Sequence, residues 1–216
     1  MTAIPPHLVE AANELLAYGR SMQREMSRYE FGIQELLTKL RILRDEISLE
    51  DDYNPIEHLS HRVKSPQSIL EKLQRRGLEP GLEGVKQLDD IAGIRVTCSF
   101  IPDTYRLHEM LDAQPDITTL HLKDYIAEPK PNGYRGLHAI VETPVNLSSG
   151  QVPVKVEIQY RTIAMDFWAS LEHKIYYKYD KAVPERLLSE LTAAATTANQ
   201  LDQRMKAIHQ EVRGGS

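Results

Sequence analysis

Two carboxylates sit where strands would carry them. Asp90 leads into the apolar, β-branched run Ile94–Phe100, and Glu157 lies inside the run Val154–Gln159. Val154, Val156 and Ile158 alternate with Lys155, Glu157 and Gln159, so Glu157 is expected on the face opposite Val156 and Ile158. Carboxylates projected from strands are a usual means of holding Mg2+, which takes oxygen ligands and keeps waters and substrate phosphates. As an isolated pair the two would read as ordinary exposed acids; the segment between them changes that. Lys123-Asp124-Tyr125-Ile126 and Pro129-Lys130-Pro131-Asn132-Gly133-Tyr134-Arg135-Gly136-Leu137-His138 read as a loop, with a turn at Asn132-Gly133. It presents Tyr134 and Arg135 just ahead of a strand. A tyrosine at a loop tip suits stacking on a purine, and Lys123, Lys130, Arg135 and Arg161 suit phosphate groups. His138 is open to two readings, a contact to a ribose or phosphate and a structural histidine.

A second cationic cluster lies upstream. In Arg62-Val63-Lys64-Ser65-Pro66, Ser65 is a good helix N-cap and Pro66 fits the first helical position. The helix is expected to run to about Arg76, with Gly77 just past its end. Ser68, Lys72 and Arg75 or Arg76 recur at helical spacing, and Arg62 and Lys64 precede the helix. A helix N-terminus flanked by cations is a ready anion site, although the same residues also fit a solvated basic face.

The elements that must position these groups are largely readable. Ile33, Leu36, Leu37, Leu40, Leu43 and Ile47 mark one face of a helix that ends at Asp51, Asp52, Asn54 and Pro55. Ile94–Phe100, Thr118–Leu122, Leu137–Val141 and Val152–Gln159 read as strands, the last two joined by a hairpin loop at Asn146–Gly150. Asp103–Leu111 reads as a short helix. Thr162–Tyr179 reads as a helix whose Phe167, Trp168, Leu171, Ile175 and Tyr176 mostly pack in a core. From Pro184 to Val212, Leu191, Ala198, Met205 and Val212 repeat every seventh residue, with Ala194, Leu201 and Ile208 between them. That heptad seam packs on the N-terminal helices or forms a subunit contact. Helices alternating with short strands point to an α+β fold, a mixed sheet flanked by helices.

Composition limits the alternatives. A chain of 216 residues, 41% hydrophobic and 26% charged, suits one globular domain with helical extensions. No apolar run approaches the roughly 18 residues that span a bilayer, and Met1–Pro6 lacks the pattern of a secretory leader. The single cysteine, Cys98, lies in an apolar run and is expected to be a buried, inert thiol, which fits a reducing cytoplasm. A net charge of −5 argues against broad binding to nucleic-acid backbones, while local basic clusters still suit small polyanions. There is no G-x-G-x-x-G after the first strand and no G-x-x-x-x-G-K-[ST], so any use of ATP would rely on another scheme.

Taken in order, several segments resemble the small alarmone synthetases, the single-domain bacterial (p)ppGpp synthetases. They are Arg62–Ser65, Asp90–Arg95, Lys123–Ile126, Asn132–Arg135, Val156–Gln159 with Arg161-Thr162, and Ala164–Ala169 through Leu171–Lys174. The resemblance spans roughly residues 30–180 and rests on the motifs together. It implies a GTP pyrophosphokinase of the bacterial stringent response. The β,γ-pyrophosphate of ATP would move to the ribose 3′-oxygen of GDP or GTP, leaving AMP, with Mg2+ as cofactor. It also implies a mixed, mostly antiparallel sheet of about five strands, related to nucleotidyltransferases, and a homotetramer.

Carried over by position, Asp90 and Glu157 match the metal-binding carboxylates, Glu157 being also the candidate base. Arg95 matches an arginine that packs on adenine, with Arg62 or Lys64 opposite. Ser68, Lys72 and Arg75 or Arg76 fall on the ATP side. Tyr134 matches the guanine-stacking tyrosine, and Lys123, Lys130, Asn132, Arg135, His138, Gln159 and Arg161 fall on the acceptor side. Gly136 stands where this family commonly has serine. The long relatives' hydrolase uses paired His and Asp ligands; here no His-Asp dipeptide occurs, so synthesis without degradation is expected, with control through assembly, small ligands or expression, and with (p)ppGpp or RNA as candidate regulatory partners. Residues 1–55 are read as an N-terminal helical extension, 56–180 as the catalytic domain and 181–216 as a C-terminal helix. Two other readings remain: a nucleotide-sensing or RNA-binding regulator on an inactive scaffold, and another nucleotidyltransferase that releases pyrophosphate instead of AMP.

Overall fold

In the computed structural model, residues 6–51, 53–179 and 182–214 are described. Met1–Pro5 and Asp52, which entered the leader and turn readings, lie outside them. A long helix, α1 (Pro6–Asp51), leads into strand β1 (Ile56–Val63). Helices α2 (Pro66–Arg76) and α3 (Leu82–Lys86) precede β2 (Ala92–Cys98), and α4 (Ile101–Asp112) follows it. Strands β3 (Thr118–Asp124), β4 (Leu137–Leu147) and β5 (Gly150–Thr162) come next, then helices α5 (Ile163–Lys178) and α6 (Glu185–Gly214).

The strands form one five-stranded sheet in the order β1-β2-β5-β4-β3. Only the pairing of β2 with β5 is parallel; the other three are antiparallel. One face is apolar and covered. Ile33, Leu36, Leu37, Leu40, Leu43 and Ile47 of α1 are all buried, as the helical spacing predicts. Gly32 lets α1 approach closely, since a Cβ there would lie 2.6 Å from a methyl of Val154. On the same face, His108 of α4 meets Tyr160 with ring centroids 5.8 Å apart. The opposite face carries Arg95, Glu157 and Gln159.

Local signals fixed the helix bounds. Ser65 accepts the Ser68 amide as N-cap of α2, and Gly77 ends the helix at φ 66°, in the left-handed region that glycine tolerates. Several expectations need correction. Strand β1 was not readable: it is an edge strand whose pairing side alone is occupied, and its polar residues show no alternation. Strand β2 starts two residues earlier than expected, and Phe100 caps α4. Lys123 and Asp124 belong to β3, with Lys123 opposite His138. Helix α5 packs through Met165, Trp168 and Ala169, so Trp168 is buried while Phe167 (66% exposed), Leu171 and Tyr176 lie on its open side. Cys98 is buried, and burial pushes its thiol well up, as an inert thiol requires.

Helix α6 packs on the sheet end and α5 through Ala195 and Asp202, and the Trp168 indole donates to the Leu191 carbonyl at 2.8 Å. The Leu201, Met205, Ile208 and Val212 side of the heptad seam is exposed. Asp202 is 7% exposed and accepts the Thr162 hydroxyl at 2.7 Å. Burial raises its pKa, against the opposing Thr162 bond and Arg135 charge. A raised folded-state pKa means that the folded state holds the proton more tightly, so ionisation costs stability as pH rises through that value. Asp202→Asn is therefore expected to gain stability relative to the parent chain between about pH 3 and about pH 7. Urea unfolding at both ends of that range checks it; a difference that does not change with pH contradicts the effect of burial.

Candidate active site

The parallel register of β2 and β5 sets Gly93 opposite Glu157, Arg95 opposite Gln159 and Thr97 opposite Arg161. Strand alternation places these side chains on the sheet face opposite α1. There Gly93, Arg95, Glu157 and Gln159 border an open cleft of about 240 Å3, lined also by Arg62, Lys64 and Asp90, while Thr97 and Arg161 are buried beyond it. Small-molecule sites typically run from roughly 300 to 1,000 Å3; this cleft is smaller and opens to solvent. Gly93 keeps the floor low: a Cβ there would meet only backbone oxygens, at 3.9 Å.

Asp90 is the focus of the cleft's cationic side. Its Oδ2 accepts Lys64 Nζ at 2.7 Å and also pairs with Lys72. Burial alone would push the Asp90 carboxyl up, but the two lysines outweigh it and hold the pKa below the usual carboxylate value. Oδ1 is buried and has no partner. Lys64 is thus turned to the carboxylate, while Arg62 pairs with Gly93 on β2, two residues along from Arg95, whose own partner on β1 is Ser60. Ser68 lies in the first turn of α2 and accepts the Ser65 hydroxyl at 2.9 Å. Arg75 and Arg76 are exposed at the far end of α2 and do not line the cleft.

Glu157 anchors the other side. Its carboxylate is 3.0 Å from His138 Nδ1, and it accepts Gln159 Nε2 at 2.9 Å. Burial pushes its pKa up, but His138 and Gln159 bring it below the ordinary value, so Glu157 is ionised near neutral pH. His138 continues the chain: its Nε2 lies 2.5 Å from the Tyr134 hydroxyl. Arg161 donates to Gln159 Oε1 at 2.8 Å and to Asp166 Oδ1 at 3.1 Å, and Arg95 reaches the same Asp166 oxygen at 3.0 Å. One connected polar chain therefore runs from Tyr134 to Arg95.

The loop 129–136 departs from a simple exposed tip. Tyr134 is only 8% exposed. Its ring meets Tyr125 and His138 edge-on, with Lys130 Nζ 4.7 Å and the Arg161 guanidinium 5.2 Å from the centroid. Burial raises the Tyr134 pKa against the Arg161 charge, so the phenol stays protonated. Gly133 makes the turn at φ 88° and touches α6, where a Cβ would lie 2.6 Å from Ala195 Cβ. Asn132 accepts the Tyr134 amide at 3.1 Å and donates to Glu172 at 3.2 Å, so it ties the loop down. Arg135 also turns away from the cleft, donating to the Ile126 carbonyl at 2.5 Å and lining a small cavity with Asp202. Lys123 is exposed on β3. Asp166 and Tyr125 were not singled out from the sequence. Asp166 lay inside the segment Ala164–Ala169, but nothing in its spacing marks it as a partner, from helix α5, of arginines on two strands.

Among the described residues, no group of three or more His, Cys, Asp or Glu side chains gathers as a metal site. The free Asp90 oxygen and the Glu157 carboxylate on one cleft nevertheless fit Mg2+, which takes its remaining oxygens from waters and substrate phosphates. Among the described residues, no helix is long and apolar enough to cross a membrane.

Residues 61–182 match the family model described as the region found in RelA / SpoT proteins. The chain belongs to that family. It is 50% identical over 191 residues to the GTP pyrophosphokinase YwaC of Bacillus subtilis, covering 88% of this chain and 91% of that protein. The crystal structure of small alarmone synthetase 2 from B. subtilis superposes with a TM-score of 0.81 at 48% identity, covering 88% of this chain and 98% of that one. Small alarmone synthetase 1 of the same organism, bound to its product pppGpp, gives 0.84 at 41% identity, covering 90% and 99%. Within the family, this chain is a small alarmone synthetase.

The inward turn of Arg135 has a measurable consequence. Arg135→Met is expected to destabilise the fold by about 1.5–3 kcal/mol, the range for a hydrogen bond to a charged group. Thermal unfolding checks this. An unchanged Tm with weakened nucleotide binding would return Arg135 to the ligand-binding residues.

Proposed function

We propose that the cleft transfers the β,γ-pyrophosphate of ATP to the ribose 3′-hydroxyl of GDP or GTP, giving AMP and ppGpp or pppGpp. The observation that carries this is the pair Asp90 and Glu157, both held ionised on one cleft, with lysines on one carboxylate and the tyrosine–histidine chain on the other. The polyphosphate chain exchanges places with the internal pairing: its anions draw Lys64 and Lys72 off Asp90, and Ser68 offers a hydroxyl at the helix start. Arg62 and Arg95 flank the adenine. Arg75 and Arg76 serve the outer phosphates only if α2 tilts toward the ligand. Mg2+ on Asp90 and Glu157 would neutralise phosphate charge. The acceptor's guanine takes the face of Tyr134 from Lys130, while His138, Gln159 and Arg161 hold its ribose and phosphates, with Lys123 at the rim.

In the step itself, the 3′-oxygen attacks the β-phosphorus and the bond to the oxygen on the α-phosphorus breaks, so AMP leaves with that oxygen. The 3′-hydroxyl proton goes to Glu157, which is ionised and within one side chain of the acceptor nest. Chemistry is assigned to residues 56–180, with 1–55 and 181–216 as supporting segments. The exposed apolar residues of α5 and α6 suit a homotetramer, and the product or RNA would act as regulators through that assembly. An inactive sensor is disfavoured by the intact carboxylate pair.

Incubation with ATP, Mg2+ and GDP or GTP is expected to yield AMP and a 3′-pyrophosphorylated product, without its degradation. Release of pyrophosphate would indicate a nucleotidyltransferase, and a folded protein that gives neither would sink the reading. Glu157→Gln is expected to abolish turnover while leaving nucleotide binding largely intact. Tyr134→Ala is expected to weaken acceptor binding by roughly 1–3 kcal/mol, the value of base–aromatic stacking. An equal loss of ATP affinity would contradict that role.

A further inference from the structure

Asp166 stands in the first turn of α5, where the helix N-terminus favours its charge. One of its oxygens, Oδ1, serves two guanidiniums from different strands: Arg95 on β2 at 3.0 Å and Arg161 on β5 at 3.1 Å. Arg161 is buried, and the Nε atoms of both arginines are buried without partners. Burial and the neighbouring Arg161 pull the Arg95 pKa down, and the nearest opposing charge is Asp166. Two like charges packed this closely stay in place only with an anion between them. The two arginines belong to different halves of the cleft. Arg95 lies on the donor side, while Arg161 continues through Gln159 and Glu157 to His138 and Tyr134 on the acceptor side.

We propose that Asp166 is a positioning residue that couples the donor and acceptor halves, holding Arg95 and Arg161 through one shared carboxylate oxygen. This rests on the transfer reading given above for its assignment of the two halves. Asp166 itself touches neither substrate. A ligand that draws either arginine changes how firmly Asp166 holds the other, so each half senses the occupancy of its neighbour. Physical contact is continuous along the whole path, as such coupling requires.

Calorimetry with a non-hydrolysable ATP analogue and with GDP tests this independently of turnover. Asp166→Asn keeps the shape but removes the charge, and is expected to raise both dissociation constants, each by roughly tenfold. Asp166→Glu, which restores the carboxylate, is expected to recover part of both. Weakening of one nucleotide alone, or of neither, in a folded protein overturns the proposal. Should Asp166→Asn fail to fold, Arg95→Ala supplies the second test. Freed of Arg95, Asp166 holds Arg161 alone, so GDP affinity is expected to shift although Arg95 lies on the donor side. GDP affinity unchanged within about twofold overturns the coupling. The AMP-forming activity of the parent chain is measured alongside: its absence would defeat the transfer reading, whereas the binding results bear on the shared carboxylate.

Discussion

Everything at the cleft depends on one pairing, the parallel run of β2 beside β5. Its register puts Ala92, Ile94, Val96 and Cys98 on the same buried face as Val156, Ile158 and Tyr160. A slip of one residue would bury Glu157 and Gln159 under α1 and expose the apolar row, so the hydrophobic face enforces the register. The same constraint fixes the chemistry. Gly93 beside Glu157 leaves room, and Arg95 and Arg161 come close enough to need one carboxylate between them. A parallel pair requires a long crossover, and here α4, β3 and the β4 hairpin supply it. That crossover also delivers the tyrosine loop to the edge of the cleft.

The charges in the cleft are arranged for exchange. An acidic chain concentrates Arg62, Lys64, Lys72, Arg95 and Arg161 around three carboxylates, Asp90, Glu157 and Asp166. Without a ligand, Asp90 and Asp166 satisfy cations that would otherwise lie partly buried and unpaired, and Glu157 is held by His138 and Gln159. On the proposed reading, a polyphosphate offers the lysines more negative charge than Asp90 does, and so would free that carboxylate for a cation. The Tyr134 ring follows the same logic, with Lys130 resting on the ring that the proposal gives to the guanine. On the proposed reading, the internal partners stand in for substrate groups and keep the side chains close to their working positions.

Much of this was legible in the residues because it rests on local rules. Ser65, Pro66 and Gly77 bracket α2 by capping chemistry, and the alternation around Glu157 gave its face correctly. The α1 stripe at three-to-four spacing is the one that packs on the sheet. What was missed depends on tertiary context. Strand β1 has no periodicity because only one of its edges pairs and its side chains are mostly polar. Phe167 and Leu171 look like core from composition, yet the packing stripe of α5 passes through Met165 and Trp168 instead. Arg135 shares a motif with Tyr134, but adjacent residues entering a strand point to opposite sides, so one faces the cleft and the other α6. Asp166 acquires its meaning only when β2 and β5 lie side by side.

The central claim is that this register assembles donor and acceptor sites around Asp90 and Glu157. A crystal structure with a non-hydrolysable ATP analogue, Mg2+ and GDP tests it most directly. The account predicts adenine between Arg62 and Arg95, guanine on Tyr134, and the 3′-oxygen about 3–3.5 Å from the β-phosphorus beside Glu157. Nucleotides bound away from the β2–β5 face, or a 3′-oxygen far from Glu157, would contradict it.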